Sequence, residues 1–184
     1  MSVFSSVNDQ EIARILQTGG IGVVRTDTIY GVVARADDET AVRRVYKLKG
    51  RDDHKSPIVL IDSLEQVYDE ITKTHRQYLE SVWPGPFSII IPAKAAPVWI
   101  RRGNGSVAYR LPDNNDLRRL IRLTGPLIAP SANPQGMQPA MKIHEAKYYF
   151  GDKVDFYVDG GTVENSKPSS VVRLEPDGTA TQLR

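Results

Sequence analysis

The chain has 184 residues, of which 25% are charged and 40% hydrophobic, and its formal net charge is +2. These values are typical of one globular domain spanning residues 1–184, and so small a net charge gives no argument for nucleic-acid binding by itself. The absence of cysteine excludes disulfides, thiolate metal sites and a cysteine nucleophile. No apolar run reaches membrane-spanning length and residues 1–8 lack a signal-peptide pattern, so we expect a cytoplasmic protein without a membrane partner.

The apolar pattern alternates between helices and strands along the chain. A helix is expected after Asn8, a good N-cap residue with Glu11 three residues later, and it ends at Gly19 and Gly20. The remaining predicted helices are 39–48, 63–71, 74–82, 115–123 and 141–150. The predicted strands are 21–24, 57–61, 87–91, 107–111, 127–129 and 154–158, with a terminal hairpin at 169–174 and 179–183. Strands mixed with helices indicate an α/β or α+β fold.

Two short polar runs follow directly after predicted buried strands. Residues 26–31 follow the first strand, and residues 131–133 follow the strand that ends at Ala129. Loops at strand ends are where open sheets bind ligands, and hydroxyl and amide groups there can hold a small polar substrate. Turn or helix-cap chemistry explains the Thr-Asp-Thr run equally well.

A cationic group follows the second predicted helix and comprises Lys47, Lys49, Arg51 and Lys55. Cations at a helix C-terminus suit the helix dipole, so a solvated helix end is one interpretation. The other is a phosphate clamp, in which arginine supplies a planar fork and lysine a mobile charge. Because the sequence lacks a Gly-rich phosphate loop, any nucleotide site must hold phosphates mainly with side chains.

Arg110 stands inside an otherwise apolar predicted strand. A buried arginine needs an anionic partner, and the alternative is an edge strand with Arg110 in solvent. We expect Trp83, in the turn at 83–86, to belong to the core. The three histidines, His54, His75 and His144, are expected to be solvated rather than catalytic. They lack metal-ligand spacing, so we expect no metal held by protein side chains.

Seven blocks, in this order, resemble the threonylcarbamoyl-AMP synthase family, also called the YrdC-like domain. They are residues 25–31, 46–51, 55–57, 83–86, 107–112, 131–133 and 167–172. The resemblance implies a twisted mixed β-sheet with flanking helices around a cationic concave cavity. It also implies an ATP-dependent reaction with Mg²⁺, and a product used for threonylcarbamoyladenosine modification of tRNA.

The resemblance also assigns roles to individual residues. Lys49 and Arg51 would be the catalytic cations. Thr28, Arg110 and Ser170 would bind threonine, with Arg110 on its carboxylate. ATP would be bound by residues spread along the chain: Arg51, Lys55, Ser106, Ser131, Asn133 and Arg184. The implied partners are ATP, L-threonine and bicarbonate, a possible tRNA or RNA contact, and a downstream tRNA threonylcarbamoyl-transferase complex.

The chain departs from the family pattern at three positions: Arg25 replaces a usual proline, Leu60 a histidine of some longer members, and Pro139 a hydroxyl residue. It resembles the short form without an extra C-terminal domain. Two other functions stay open. One is a non-catalytic RNA-binding protein, which the pI of about 8.8 permits. The other is a paralogue that uses a different carbamoyl or acyl-adenylate substrate.

Overall fold

Ten strands pair into one mixed sheet in the computed structural model, which describes residues 2–164 and 167–184. The strands are β1 (Ser2–Phe4), β2 (Gly22–Arg25), β3 (Tyr30–Arg35), β4 (Ile58–Leu60), β5 (Phe87–Pro92), β6 (Ser106–Arg110), β7 (Leu127–Ile128), β8 (Phe156–Val158), β9 (Ser170–Leu174) and β10 (Ala180–Gln182). Their order across the sheet is β1-β8-β2-β3-β7-β4-β6-β5-β9-β10. Both parallel pairs, such as β4 with β6, and antiparallel pairs, such as β2 with β3, occur, which confirms the predicted mixed sheet.

Helices cover both faces of the sheet. They are α1 (Gln10–Gln17), α2 (Glu39–Lys49), α3 (Lys73–Val82), α4 (Val98–Arg101), α5 (Asn115–Thr124) and α6 (Ile143–Phe150). Helices α1 and α5 bury Leu16 and Leu120 in one apolar cluster, whereas α2 and α6 bury Val45 and Phe150 in a second one. Neighbouring residues of β3 alternate between these clusters, since successive side chains of a strand point to opposite faces.

Helix α2 brings the cationic group to its position. It begins at the N-cap Asp38, whose side chain accepts a hydrogen bond from Ala41 N, and buries Val42 and Val45. It ends at Gly50, which adopts the left-handed conformation (φ 58°) that glycine tolerates without strain. The chain therefore turns sharply after Lys49 and directs Arg51 back toward the sheet.

Several predicted elements differ from the structure. The N-cap of α1 is Asp9 rather than Asn8, because the Asp9 carboxylate accepts the Glu11 amide at 2.9 Å. The helix predicted at 63–71 is only a 3-10 turn at Leu64–Gln66, since Ser63 makes no side-chain capping bond and Val67 is already extended. Strands β1 and β3 and the short helix α4 were not predicted.

The buried residues test two further expectations. Trp83 is buried, as predicted, and its indole N–H donates to Phe87 O at 2.7 Å. The expectation for His75 was wrong: its ring is buried on α3, and Nε2 lies 2.9 Å from Glu175 O. His54 and His144 are exposed, as expected. In the described part of the chain, no helix is long and apolar enough to cross a membrane.

Candidate active site

A concave pocket of about 220 Å³, which we call the central cavity, opens between six parts of the chain. Its walls come from the β2–β3 turn, the segment after α2, the end of β6, the segment after β7, the two residues before β9 and the C-terminal residue. The side chains on its wall are Thr26, Thr28, Ile29, Tyr30, Arg51, Ile58, Arg110, Ala129, Pro130, Ser131, Pro139, Pro168, Ser169 and Arg184. Among the described lining residues, three are arginines and none has an acidic side chain, so the side chains of the cavity suit anions.

The β2–β3 turn supplies hydroxyl groups to this cavity. Thr26 Oγ1 donates to Ile29 O at 2.7 Å and lies 3.1 Å from Thr28 Oγ1. Both threonines are buried, and Thr26 Oγ1 also accepts the Thr28 amide at 3.2 Å. Turn chemistry and cavity lining are therefore combined in the same residues: Thr26 closes the turn, and Thr28 takes a fixed place on the wall.

Arg110 is buried at the end of β6, an interior strand between β4 and β5, with only 4% of its surface exposed. The edge-strand interpretation was therefore wrong. Its anionic partner within the chain is Asp27: Arg110 Nη2 lies 3.2 Å from Asp27 Oδ1 and donates to Thr26 Oγ1 at 3.3 Å. Burial lowers the pKa of Arg110 and raises the pKa of Asp27, and the attraction between the two charges opposes both shifts.

The Asp27–Arg110 pair leaves polar atoms unsatisfied. Within the described residues, Asp27 Oδ1 and Arg110 Nε are buried and have no hydrogen-bond partner, so the short contact between the charges is poorly aligned. Asp27 Oδ2 accepts the Asp113 amide at 3.4 Å, which links the turn to the segment before α5. The family resemblance predicts only the substrate carboxylate as the anion at Arg110; Asp27, the acid of the Thr-Asp-Thr run, was not predicted as its partner.

Arg51 and Arg184 line other parts of the cavity. Arg51 is half-buried, and its Nη2 donates to Ser56 O at 3.0 Å. Arg51 also lines an adjoining surface depression, so its guanidinium stands between the cavity and the outer face of α2. Arg184 Nη2 donates to Ser169 O at 3.0 Å, which ties the C-terminal residue to the cavity wall.

Five of the residues predicted from the sequence therefore line the same cavity: Thr28, Arg51, Arg110, Ser131 and Arg184. Other predicted residues lie nearby. Asn133 is buried beside Ser131, and its side-chain N–H groups donate to Pro134 O and Met137 O. Ser170 is half-buried next to Ser169, and the lining hydroxyl is that of Ser169, 2.8 Å from Ser88 Oγ.

The remaining predicted residues lie off the wall. Lys55 is exposed, and its carbonyl accepts the Tyr46 hydroxyl at 2.5 Å. Ser106, at the start of β6, lines a separate depression of about 110 Å³ with Arg173. Lys49 is buried behind the wall, and its ammonium donates to the carbonyl oxygens of Ser131 and Asn133. Burial, and then the neighbouring charge of Arg51, lowers the pKa of Lys49 to about 7.

Fold and cavity together define an α/β protein with a YrdC-like mixed sheet and an arginine-lined site at its centre. The Sua5/YciO/YrdC family, described as telomere recombination, matches residues 14–184. The chain belongs to this family.

Two curated relatives are threonylcarbamoyl-AMP synthases. The chain is 33% identical over 166 residues to that of Stutzerimonas stutzeri, covering 88% of this chain and 90% of the relative. It is 33% identical over 183 residues to that of Marinobacter nauticus, covering 95% and 96%. Among solved structures, Pyrococcus abyssi Sua5 complexed with L-threonine superposes with a TM-score of 0.90 at 29% identity; all of this chain is covered, but it spans only 57% of that one.

Proposed function

We propose that the protein is an L-threonylcarbamoyladenylate synthase that forms threonylcarbamoyl-AMP and pyrophosphate from L-threonine, bicarbonate and ATP. The observation that carries the proposal is the meeting of Thr28, Arg51, Arg110, Ser131 and Arg184 in one cavity. The names of the relatives support the same reaction. The product would serve threonylcarbamoyladenosine modification of tRNA, through a downstream transferase complex.

The threonine end of the site would lie at the β2–β3 turn. Arg110 offers a fixed guanidinium for the α-carboxylate, and Thr28 offers a hydroxyl on the same wall. Asp27 already compensates part of the Arg110 charge, so the arginine can stay ionised in its buried position before substrate arrives. Ser169 and the neighbouring Ser170 would close this end from the β9 side.

The ATP end would lie toward α2. Arg51 and Arg184 would neutralise phosphate oxygens, and the Ser131 hydroxyl would donate to one of them. Lys55 is exposed, and its carbonyl accepts Arg51 Nε–H at 3.4 Å, so we retain its ammonium as a proposed contact for a phosphate that extends out of the cavity. We retain Asn133 and Ser106 as proposed ATP contacts; Asn133 Oδ1 is buried without a hydrogen-bond partner among the described residues.

The chemistry needs positioning of anions rather than a protein nucleophile. The threonine amine adds to carbon dioxide derived from bicarbonate and loses a proton, which gives a carbamate. A carbamate oxygen attacks the α-phosphorus, the bond from that phosphorus to the bridging oxygen breaks, and pyrophosphate leaves with the electron pair. Arginines that face developing negative charge in a fixed arrangement lower the barrier for this step.

Magnesium would enter with ATP. In the described residues, no group of three metal-binding side chains could hold an ion, and the described cavity wall carries no acidic side chain. These residues do not fit a protein-held magnesium site, so we assign the ion to the phosphate oxygens and water and derive no step through it.

The test is pyrophosphate release with ATP and magnesium, with each other substrate omitted in turn. We expect release only when threonine and bicarbonate are both present. Equal release without threonine would reject this assignment and favour a paralogue with a different acceptor. If there is no release, but RNA binds with a steep dependence on salt, the protein is an RNA-binding member of the family.

A further inference from the structure

Lys49 is the last residue of α2 and is almost fully buried, with 4% of its surface exposed. Lysine is rarely buried without a counter-ion, because desolvating an ammonium is costly. Across residues 2–164 and 167–184, Lys49 forms no ion pair with a carboxylate. Burial lowers the pKa of Lys49, and the like charge of Arg51 lowers it further. A lysine in this position therefore requires a specific reason.

The Lys49 ammonium is satisfied by backbone carbonyls. It donates to Ser131 O and Asn133 O, two positions of the segment that follows β7. Charge-assisted hydrogen bonds of this kind are stronger than neutral ones. Because both acceptors belong to one short segment, the side chain fixes the segment's position as well as its distance from α2.

Two further bonds join the same parts of the chain. The Gln135 amide donates to Lys49 O at 2.7 Å, and the Gln135 side-chain oxygen accepts the Asp52 amide at 2.8 Å. Together with the two ammonium bonds, four hydrogen bonds connect residues 49–52 to residues 131–135. Arg51 and Ser131 belong to these two segments, and both line the central cavity. The bonds therefore set the separation of the arginine and the hydroxyl.

We propose that Lys49 is a positioning residue: it holds the 131–135 segment against the end of α2 so that Ser131 and Arg51 face the same phosphate chain. The identity of the ligand, ATP, rests on the proposed function, whereas the role of Lys49 in holding the 131–135 segment against α2 does not. It differs from a direct contact between Lys49 and phosphate, since the side chain lies behind the cavity wall. A neutral lysine amine still has two N–H groups for the two carbonyls, so the role does not require the charge.

The first test measures amide hydrogen exchange in the ligand-free protein. Lys49→Met removes both ammonium bonds and keeps an unbranched side chain, and we expect about tenfold faster exchange within residues 131–137. Lys73→Met, at an exposed lysine that begins α3, is the control and should leave this exchange unchanged. Unchanged exchange in Lys49→Met would overturn the proposal, whether or not the protein binds ATP.

The second test is a double-mutant cycle on ATP affinity with Lys49→Met and Ser131→Ala. We expect each single variant to weaken ATP binding about tenfold. The double variant should bind ATP as well as the single variant with the lower affinity, because both substitutions act through one contact. Independent, multiplying effects would instead assign Lys49 its own phosphate contact. If wild type binds no ATP, the proposed function fails while the exchange result stands.

A third variant separates loss of folding from loss of the contact. Lys49→Gln keeps a neutral N–H donor near the carbonyls, so we expect ATP affinity and exchange between those of wild type and Lys49→Met. Should Lys49→Met fail to fold, Lys49→Gln takes its place in both tests. Faster exchange and weaker ATP binding in Lys49→Gln than in Lys49→Met, with a folded protein in each case, would overturn the positioning role, because a retained N–H donor should not hold the segment less well than none.

Discussion

The guanidinium of Arg110 is buried at an interior strand of the sheet, and its contacts determine the expected effect of a substitution there. Two of its neighbours, Asp27 and Thr26, hold one edge of the group, and the cavity faces another part of it. Arg110→Lys keeps the charge but loses the planar fork. We expect a rise of about 10–100-fold in the threonine concentration needed for half-maximal pyrophosphate release, with ATP affinity nearly unchanged.

The measurement is threonine titration of pyrophosphate release alongside ATP binding, for wild type and Arg110→Lys. A protein that used Arg110 only to neutralise RNA phosphates would tolerate lysine, because that contact depends chiefly on charge. An unchanged threonine curve would remove Arg110 from the substrate site and leave Asp27 as its sole anionic partner.

Substitution of Arg51 should affect ATP affinity more than stability, because this side chain is only half-buried. Arg51→Ala removes a proposed phosphate contact worth about 1.5–3 kcal/mol, so ATP affinity should fall by one to two decades. The loss of its bond to Ser56 O should lower the melting temperature only slightly. Calorimetric ATP titration and thermal melting check both. Arg76→Ala, on α3, is the control, and an unfolded Arg51→Ala would show that this arginine mainly holds the helix end.

The predictability of these site residues depended on what each one contacts. The runs containing Thr28 and Ser131 could be predicted because they follow buried strands, where open sheets bind ligands, and Arg110 because an arginine within a buried strand needs an anionic partner. The buried position of Lys49 could not be predicted, because its acceptors are backbone carbonyls more than 80 positions away. Every residue has a backbone carbonyl, so the residue types at those positions do not indicate the contact. The family resemblance implied Ser170, whereas in the structure the neighbouring Ser169 lines the cavity.

At the scale of elements, Asp62 links the segment after β4 to helix α5. Its carboxylate accepts hydrogen bonds from Arg118 Nε at 3.1 Å and Arg122 Nε at 2.9 Å and is largely buried. We expect Asp62→Asn to lower the free energy of unfolding by about 1–2 kcal/mol, a value reduced because Arg122 is exposed.

Urea unfolding checks this value against Asp37→Asn, which breaks an exposed pair with Arg35 and should cost less than about 0.5 kcal/mol. Equal losses in the two variants would show that Asp62 contributes no more than a surface pair. The same carboxylate helps to explain the wrong helix prediction at 63–71. The Asp62 amide donates to Gln66 Oε1, and its carboxylate is engaged by α5, so neither supports a new helix.

At the scale of the whole molecule, the sequence predicted the terminal hairpin but not the order of the strands in the sheet. The β9–β10 hairpin pairs as predicted around residues 176–178, because its turn is local. Strand β8 lies between β1 and β2 although nearly the whole chain separates it from them. Apolar periodicity specifies which face of a strand is buried but not which strand lies beside it, so this order required the structure.

The pH dependence of stability is a property of the whole molecule, and Lys49 contributes to it because its pKa differs between the folded and the unfolded protein. The pKa of Lys49 is about 7 in the folded protein and near 10.5 when the chain is unfolded. Between these values the unfolded chain binds more protons, so the Lys49 contribution to stability rises with pH. Below pH 7 both states are protonated and the full cost of the buried charge is present.

We therefore expect the free energy of unfolding of wild type, minus that of Lys49→Met, to rise by at most about 1.4 kcal/mol per pH unit between pH 7 and 9.5. Urea unfolding at fixed ionic strength measures this difference, and subtracting the variant cancels groups common to both proteins. The window stops at pH 9.5 because Lys49 in the unfolded chain begins to lose its own proton as the pH approaches 10.5, so the slope of the difference falls toward zero above this pH. A difference that stays flat would mean that Lys49 remains fully charged throughout, with its two carbonyl bonds offsetting its burial.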